Sequence, residues 1–164
     1  MVGGQDELVF DGGSFVVDDL GEIIYQASSF QEEVFHLDID LKIKKQNDKP
    51  SLLIRPKTIE LKDIKSKPSM SENESIYSAL KLGLLDYVSK NKFTKVLIGI
   101  SGGIDSALTA AICVDALGAQ NVIGVAMPSK YNSKDSLNDA IKLSTNLGIK
   151  LKTIEIEKIV DNFR

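Results

Sequence analysis

Eight consecutive residues, Gly99-Ile-Ser-Gly-Gly-Ile-Asp-Ser106, combine the residue types that can hold a polyphosphate. Gly102 and Gly103 lack a Cβ, so the backbone can turn through angles that a side chain would crowd and aim successive N–H groups at one point. The run that follows reads as a helix, whose free first-turn N–H groups and positive dipole end also attract anions. The dipole contributes about 0.3–2 kcal/mol. Each hydrogen bond to a charged oxygen is worth roughly 1.5–3 kcal/mol, so converging donors dominate. The hydroxyls of Ser101 and Ser106 are expected to add donors to the same oxygens. Asp105 repels phosphate directly, and its expected part is to hold a Mg²⁺ ion whose octahedron is completed by phosphate oxygens and water. A bare Ser-Gly-Gly suits an ordinary turn; the full string between a strand and a helix points to the phosphates of ATP.

The string has no lysine of the Gly-x-x-x-x-Gly-Lys-Ser/Thr type and no Gly-x-Gly-x-x-Gly spacing, so neither a kinase-like P-loop nor a dinucleotide fingerprint fits. Other reactive side chains are few. Cys113 is the only cysteine, and its setting, Ala-Ala-Ile-Cys-Val, predicts a small buried side chain. His36 is the only histidine, with no metal-ligand spacing near it, and reads as a packed or surface residue. Twenty basic residues against 23 acidic give a formal charge of -3, too balanced for the electrostatic footprint of a nucleic acid binder. No apolar run approaches the roughly 20 residues that span a bilayer, which gives a cytoplasmic expectation.

The elements that must position the loop follow from periodicity. Lys95–Ile100 is a compact β-rich run, Asp105–Leu117 a helix ended by Gly118, and Val122–Met127 a second apolar strand. A further helix is expected over Ser136–Leu147, with Leu137, Ala140, Ile141, Ser144 and Leu147 on one face and Gly148 as its stop, then a third strand over Leu151–Ile156. Strand, helix, strand, helix, strand with apolar strands implies a parallel sheet covered on its faces, a Rossmann-like α/β fold that binds ligands at the carboxyl ends of its strands. Residues 100–104 fall at that end. Ahead of this unit, a helical stripe of Ile76, Leu80, Leu84, Tyr87 and Val88 begins near Glu74 and is expected to pack on it.

The N-terminal part reads differently. Leu8–Phe10, Ser14–Val17, Glu22–Tyr25 and Val34–Ile39 are short apolar or alternating runs, expected as strands. Asp18-Asp19-Leu20-Gly21 signals a hairpin turn, and the glycine pairs at 3–4 and 12–13 suit corners. Four such strands need another layer to cover them. The stretch from Lys42 carries Pro50, Pro56 and Pro68 among Lys, Asp and Ser, and reads as a linker with one short strand at Ser51–Ile54.

Ser-Gly-Gly-Ile-Asp-Ser resembles the PP-loop of the ATP pyrophosphatase superfamily, whose members cleave ATP between the α and β phosphates. The wider stretches 96–112 and 124–131, the run 77–87 and the segment Val2-Gly-Gly-Gln-Asp-Glu-Leu-Val-Phe-Asp-Gly-Gly-Ser14 together resemble glutamine-dependent NAD synthetase. The resemblance implies a nitrilase-type domain that releases ammonia from glutamine, joined to a synthetase that adenylates deamido-NAD and lets ammonia displace AMP. It implies three segments: residues 1–41 as the end of the nitrilase-type sandwich, 42–73 as linker and 74–164 as the first part of the synthetase. By resemblance, Gly99, Ile100, Ser101, Gly102, Gly103, Ile104, Asp105 and Ser106 carry the ATP phosphates and Asp105 the Mg²⁺. Val125 and Met127 are candidates for the adenine pocket.

The family's glutaminase cysteine, with its glutamate and lysine partners, is expected before Val2, and Cys113 cannot replace it because it follows the phosphate loop. The chain is therefore expected to be an internal fragment without turnover alone, from an enzyme that is a homo-oligomer with no nucleic acid or membrane partner. Two rivals stand beside this reading: another PP-loop amidotransferase or synthetase, and a non-catalytic ATP-binding remnant.

Overall fold

The computed structural model describes residues 1–18, 21–37, 41–43, 54–56, 70–128 and 134–157, and the chain divides into two compact units. The first holds residues 1–2 and 10–71; the second holds 3–9 and 72–164.

In the second unit the strands β7 (Val96–Gly99), β8 (Val122–Ala126) and β9 (Lys150–Thr153) form a parallel sheet in that order. Val96 pairs with Val122, and Gly124 with Leu151, so the strands run in register from the same end. The connections are the helices α2 (Ile104–Leu117) and α3 (Lys134–Asn146). Parallel strands need such crossovers, and right-handed crossovers that step the same way place both helices on one face. The core agrees: Ile100, Ala110, Cys113, Val122, Ala140 and Ile149 are buried together, with Val96, Ile98, Leu143, Leu147 and Leu151 packed against them. Gly124 sits under that layer because a Cβ there would meet Ile100 Cδ1 at 2.7 Å.

Within the described residues, α2 and α3 both lie on one face of the sheet. The opposite face of the described sheet carries Leu97, which is 70% exposed, with Ile123, Val125, Lys150 and Lys152 in register beside it. The apolar strand pattern reports what a sheet can bury, and one face is buried by the described elements of this chain.

Helix α1 (Glu72–Lys90) starts two residues before the expected Glu74, with Glu72 and Glu74 in the first turn, where negative charge is attracted by the positive end of the dipole. Asn91 Nδ2 donates to the Tyr87 carbonyl at 2.8 Å, and Lys92 takes φ 59°, which ends it. The expected stripe is only half buried. Val88 is 7% exposed and Leu84 packs against the core, but Ile76, Leu80 and Tyr87 are 53%, 50% and 60% exposed. Period 3.6 identifies a face, and only part of that face is covered by the described residues. In α3 the buried line runs through Ala140, Leu143, Ser144 and Leu147, while Ile141, expected on that face, is 47% exposed. Ser144 is buried without cost to its hydroxyl, which donates to the Ala140 carbonyl at 2.8 Å.

The strands β1 (Val2–Gln5) and β2 (Leu8–Asp11) pair as a ribbon, and residues 3–9 of it lie on α1. Gly3 and Gly4, expected at a corner, are buried in β1 instead. The reason is close approach: a Cβ on Gly4 would stand 2.9 Å from the Gly83 Cα, and one on Gly83 would stand 3.1 Å from Val9 Cγ2. Gly4 N–H donates to Asp86 Oδ2 at 2.7 Å, and Lys90 Nζ donates to the Gly4 carbonyl. Lys90 also pairs with Asp86 at 3.4 Å. Helix side chains thus satisfy both polar groups of one strand residue.

In the first unit, β3 (Phe15–Val17) and β4 (Ile23–Gln26) form the expected antiparallel hairpin. Asp18 organises the turn, accepting the Glu22 N–H on Oδ1 at 2.9 Å, and Gly21 takes φ 86°. The strands β5 (Leu41–Ile43) and β6 (Ile54–Pro56) pair antiparallel, Leu41 opposite Pro56. The expected strand at Ser51–Ile54 meets β6 only at Ile54, its first three residues lying outside the described ones. Pro56 is tolerated at the strand end, where a missing N–H removes no interior ladder bond.

No strand forms over Val34–Leu37, which corrects the expectation for Val34–Ile39; residues 38 and 39 lie outside the described set. Glu33 ties this segment down as a coil, accepting Tyr25 Oη at 2.7 Å and the Ser28 N–H and hydroxyl at 2.9 and 2.8 Å. The Phe35 ring then stacks on Tyr25 at 4.0 Å, and Val34 is left 90% exposed. Alternation alone does not supply a partner strand.

Candidate functional site

The phosphate-type loop lies where β7 ends and α2 begins, at the carboxyl end of the sheet. Ile100 is 3% exposed, and its N–H donates to the Val125 carbonyl at 2.9 Å, which fixes the departure of the chain from β7 toward the loop. Gly102 turns the chain with φ 85°. Even without that angle no side chain would fit, because a Cβ would come within 2.3 Å of the Ser136 carbonyl oxygen. The first turn of α3 therefore closes down on the loop.

Gly103 is the N-cap of α2, with φ -86° and ψ 163° and no side-chain cap. A helix leaves its first-turn N–H groups without internal partners. Here no capping side chain takes them, so Ile104, Asp105 and Ser106 offer amides and the dipole end to an anion. Asp105 is exposed in this first turn. Among the described residues no three His, Cys, Asp or Glu side chains gather as a metal cluster. A lone exposed carboxylate suits Mg²⁺, which keeps waters and takes substrate phosphates as its other ligands.

The two serines are engaged with the loop backbone. Ser106 Oγ donates to the Gly103 carbonyl at 2.9 Å and lies 3.1 Å from Ser101 Oγ. Ser101 N–H points to Ser106 Oγ at 3.3 Å, and Gly103 N–H to Ser101 Oγ at 3.2 Å.

Beside the loop is a cleft of about 210 Å³ with three walls. Gly99, Ile100 and Ser101 form the first, Ala126, Met127 and Pro128 the second, and Ser136, Leu137 and Ala140 of α3 the third. Its mainly apolar lining with a polar edge suits a flat heterocycle next to a phosphate site. Met127 lines it, 48% exposed, with its Cε in ordinary contact range of where a Cβ on Gly99 would stand. Val125 does not line it; it pairs with Gly99 across the sheet. The α3 wall escaped sequence reasoning. Its signal was present in the small residues Ser136 and Ala140 one helical turn apart, but a small residue on a helix face equally marks packing.

Cys113, on the buried face of α2, lies in the core, and burial pushes its thiol up from the ordinary value, which makes it a poor nucleophile. No described helix is long and apolar enough to cross a membrane.

The family model for NAD synthase matches residues 76–164. Among curated proteins, the glutamine-dependent NAD(+) synthetases of Thermotoga maritima and Aquifex aeolicus are 44% and 43% identical over 99% and 97% of this chain. The chain spans 31% of the length of each. Among solved structures, the glutamine-dependent NAD+ synthetase of Acinetobacter baumannii in complex with adenosine diphosphate superposes with a TM-score of 0.82 at 40% identity, over 99% of this chain and 28% of that one. The NH3-dependent NAD synthetase of Campylobacter jejuni, in complex with the nitrate ion, has a TM-score of 0.53 at 35% identity, over 57% of this chain and 40% of that one. With a parallel sheet, a glycine loop leading into an uncapped helix and a match across more than half of its residues, the chain belongs to the NAD synthase family.

Proposed function

We propose that this chain carries the pyrophosphate-holding part of a glutamine-dependent NAD synthetase. The whole enzyme activates the carboxylate of deamido-NAD by transfer of AMP from ATP, releases pyrophosphate, and lets ammonia drawn from glutamine displace AMP to give NAD. The observation that carries this reading is the uncapped start of α2 behind Gly102 and Gly103, set beside the cleft. The first-turn amides of α2 hold the departing phosphates, Asp105 holds the Mg²⁺ that offsets their charge, and Met127, Ile100 and Leu137 enclose the adenine. The Acinetobacter baumannii relative was solved with ADP, which suits an adenine nucleotide here.

The family match beginning at residue 76 supports a synthetase segment over 74–164; in the same reading a linker over 42–73 and the end of a nitrilase-type domain over 1–41 precede it. No residue of the chain is assigned a glutaminase role. The whole enzyme works in the cytoplasm as a homo-oligomer.

Two measurements test the reading. Titration of the chain with ATP, with and without Mg²⁺, is expected to show binding that the metal strengthens and that Asp105→Ala makes metal-independent; unchanged metal dependence in the variant sinks the role of Asp105. The whole polypeptide, given ATP, deamido-NAD and either glutamine or ammonia, is expected to form NAD from both nitrogen sources. Formation of GMP or asparagine from the corresponding acids instead would place it elsewhere among PP-loop enzymes.

A further inference from the structure

The two loop serines are arranged so that every hydroxyl proton has a fixed destination. A serine hydroxyl has one proton to give. That of Ser106 goes to the Gly103 carbonyl at 2.9 Å, so the 3.1 Å contact between the hydroxyls is donated by Ser101. Ser106 Oγ then accepts the Ser101 N–H at 3.3 Å, and Ser101 Oγ accepts the Gly103 N–H at 3.2 Å. The four bonds close a ring across the loop, with two backbone amides held on serine oxygens.

The bonds differ in whether an anion can replace them. The two amide bonds are long, near the upper limit of useful geometry, and charged oxygens at about 2.7–2.9 Å make stronger partners for the same N–H groups. The bond to the Gly103 carbonyl is of ordinary length, and a phosphate oxygen, which has no proton to donate, cannot substitute for it. We propose that Ser101 and Ser106 are positioning residues that shape the loop before it is filled: Ser106 is a permanent brace on Gly103, and Ser101 is a placeholder whose hold on the Gly103 amide passes to a phosphoryl oxygen. This rests on the phosphate reading of the loop.

Hydrogen exchange of the peptide spanning 99–107, in the whole polypeptide with and without saturating MgATP, tests both roles. In the empty protein Ser106→Ala raises exchange of this peptide roughly five- to tenfold, the effect of one net hydrogen bond. Exchange stays raised with nucleotide bound, and Ser106→Thr, which keeps the hydroxyl, restores the parent rate. Ser101→Ala raises exchange only in the empty protein and matches the parent once MgATP is bound. Because the ring acts as a unit, the double alanine variant exchanges no faster than Ser106→Ala when empty. An unchanged empty-state rate in both alanine variants overturns the proposal, as does an Ser101→Ala effect confined to the nucleotide-bound state. Should MgATP fail to protect the parent loop, the phosphate reading falls, and the empty-state rates still decide whether the ring exists.

Discussion

Two glycine pairs in this chain look alike in sequence and do opposite work. Gly102 and Gly103 lead into helix amides that no side chain caps; Gly3 and Gly4 sit where helix side chains take up the backbone polar groups. At the first pair the neighbour is the Ser136 carbonyl at the start of α3, and the amides of α2 remain open. At the second pair the neighbour is Gly83, and Asp86 and Lys90 close off both polar groups of Gly4. At both pairs a glycine marks a close approach within the protein, and the difference lies in whether the neighbouring amides are already bonded.

Substitutions at the two pairs should separate stability from binding. Gly102→Val carries the largest expected effect, because it combines a left-handed angle with a backbone clash: a loss of roughly 2–5 kcal/mol in urea unfolding, with no MgATP heat in calorimetry. Retained nucleotide binding in that variant would break the comparison. Gly4→Val is expected to cost roughly 1–3 kcal/mol through overpacking against Gly83, while leaving MgATP affinity within about twofold at temperatures where the protein stays folded. A parallel loss of affinity would mean that the ribbon on α1 also governs the loop.

Asp86→Ala leaves the Gly4 amide without its acceptor, for an expected loss of about 1–3 kcal/mol, and Asp86→Asn should recover part of it through its own carbonyl oxygen. The smallest effect is expected one helix further on. Tyr77 Oη donates to Asp115 Oδ2 at 2.7 Å and joins α1 to α2, and Tyr77→Phe should cost less than about 1 kcal/mol. The same bond raises the Tyr77 phenol above its ordinary value of 10.0, because Asp115 favours the protonated form. Its contribution is therefore intact below pH 10 and lost as pH rises through the higher folded value. The alkaline arm of a stability profile should be shallower in Tyr77→Phe.

The α/β unit was largely legible, since each of its strands and helices has its own period and its own stop at Gly118 or Gly148. The loop was legible for the same reason: its residue types and their order place it between a strand and a helix, where β7 ends and α2 begins. The cleft was legible on two sides only. Met127 could be placed by strand position, but Val125 does not line the cleft, and the α3 wall depends on how a second helix returns over the loop. No strand forms over Val34–Leu37, the described part of that expectation, where the carboxylate of Glu33, which repeats no pattern, takes Tyr25 and Ser28 as partners.

Sequence by itself determined the local elements, the buried small thiol and the composition of the phosphate loop, because these depend on neighbours within a few residues. Only the tertiary structure decided that both helices cover one face of the sheet, that α3 closes over Gly102, and that residues 3–9 join a helix more than sixty positions away. Those are contacts between surfaces, and a surface is defined only once the chain has returned to meet it.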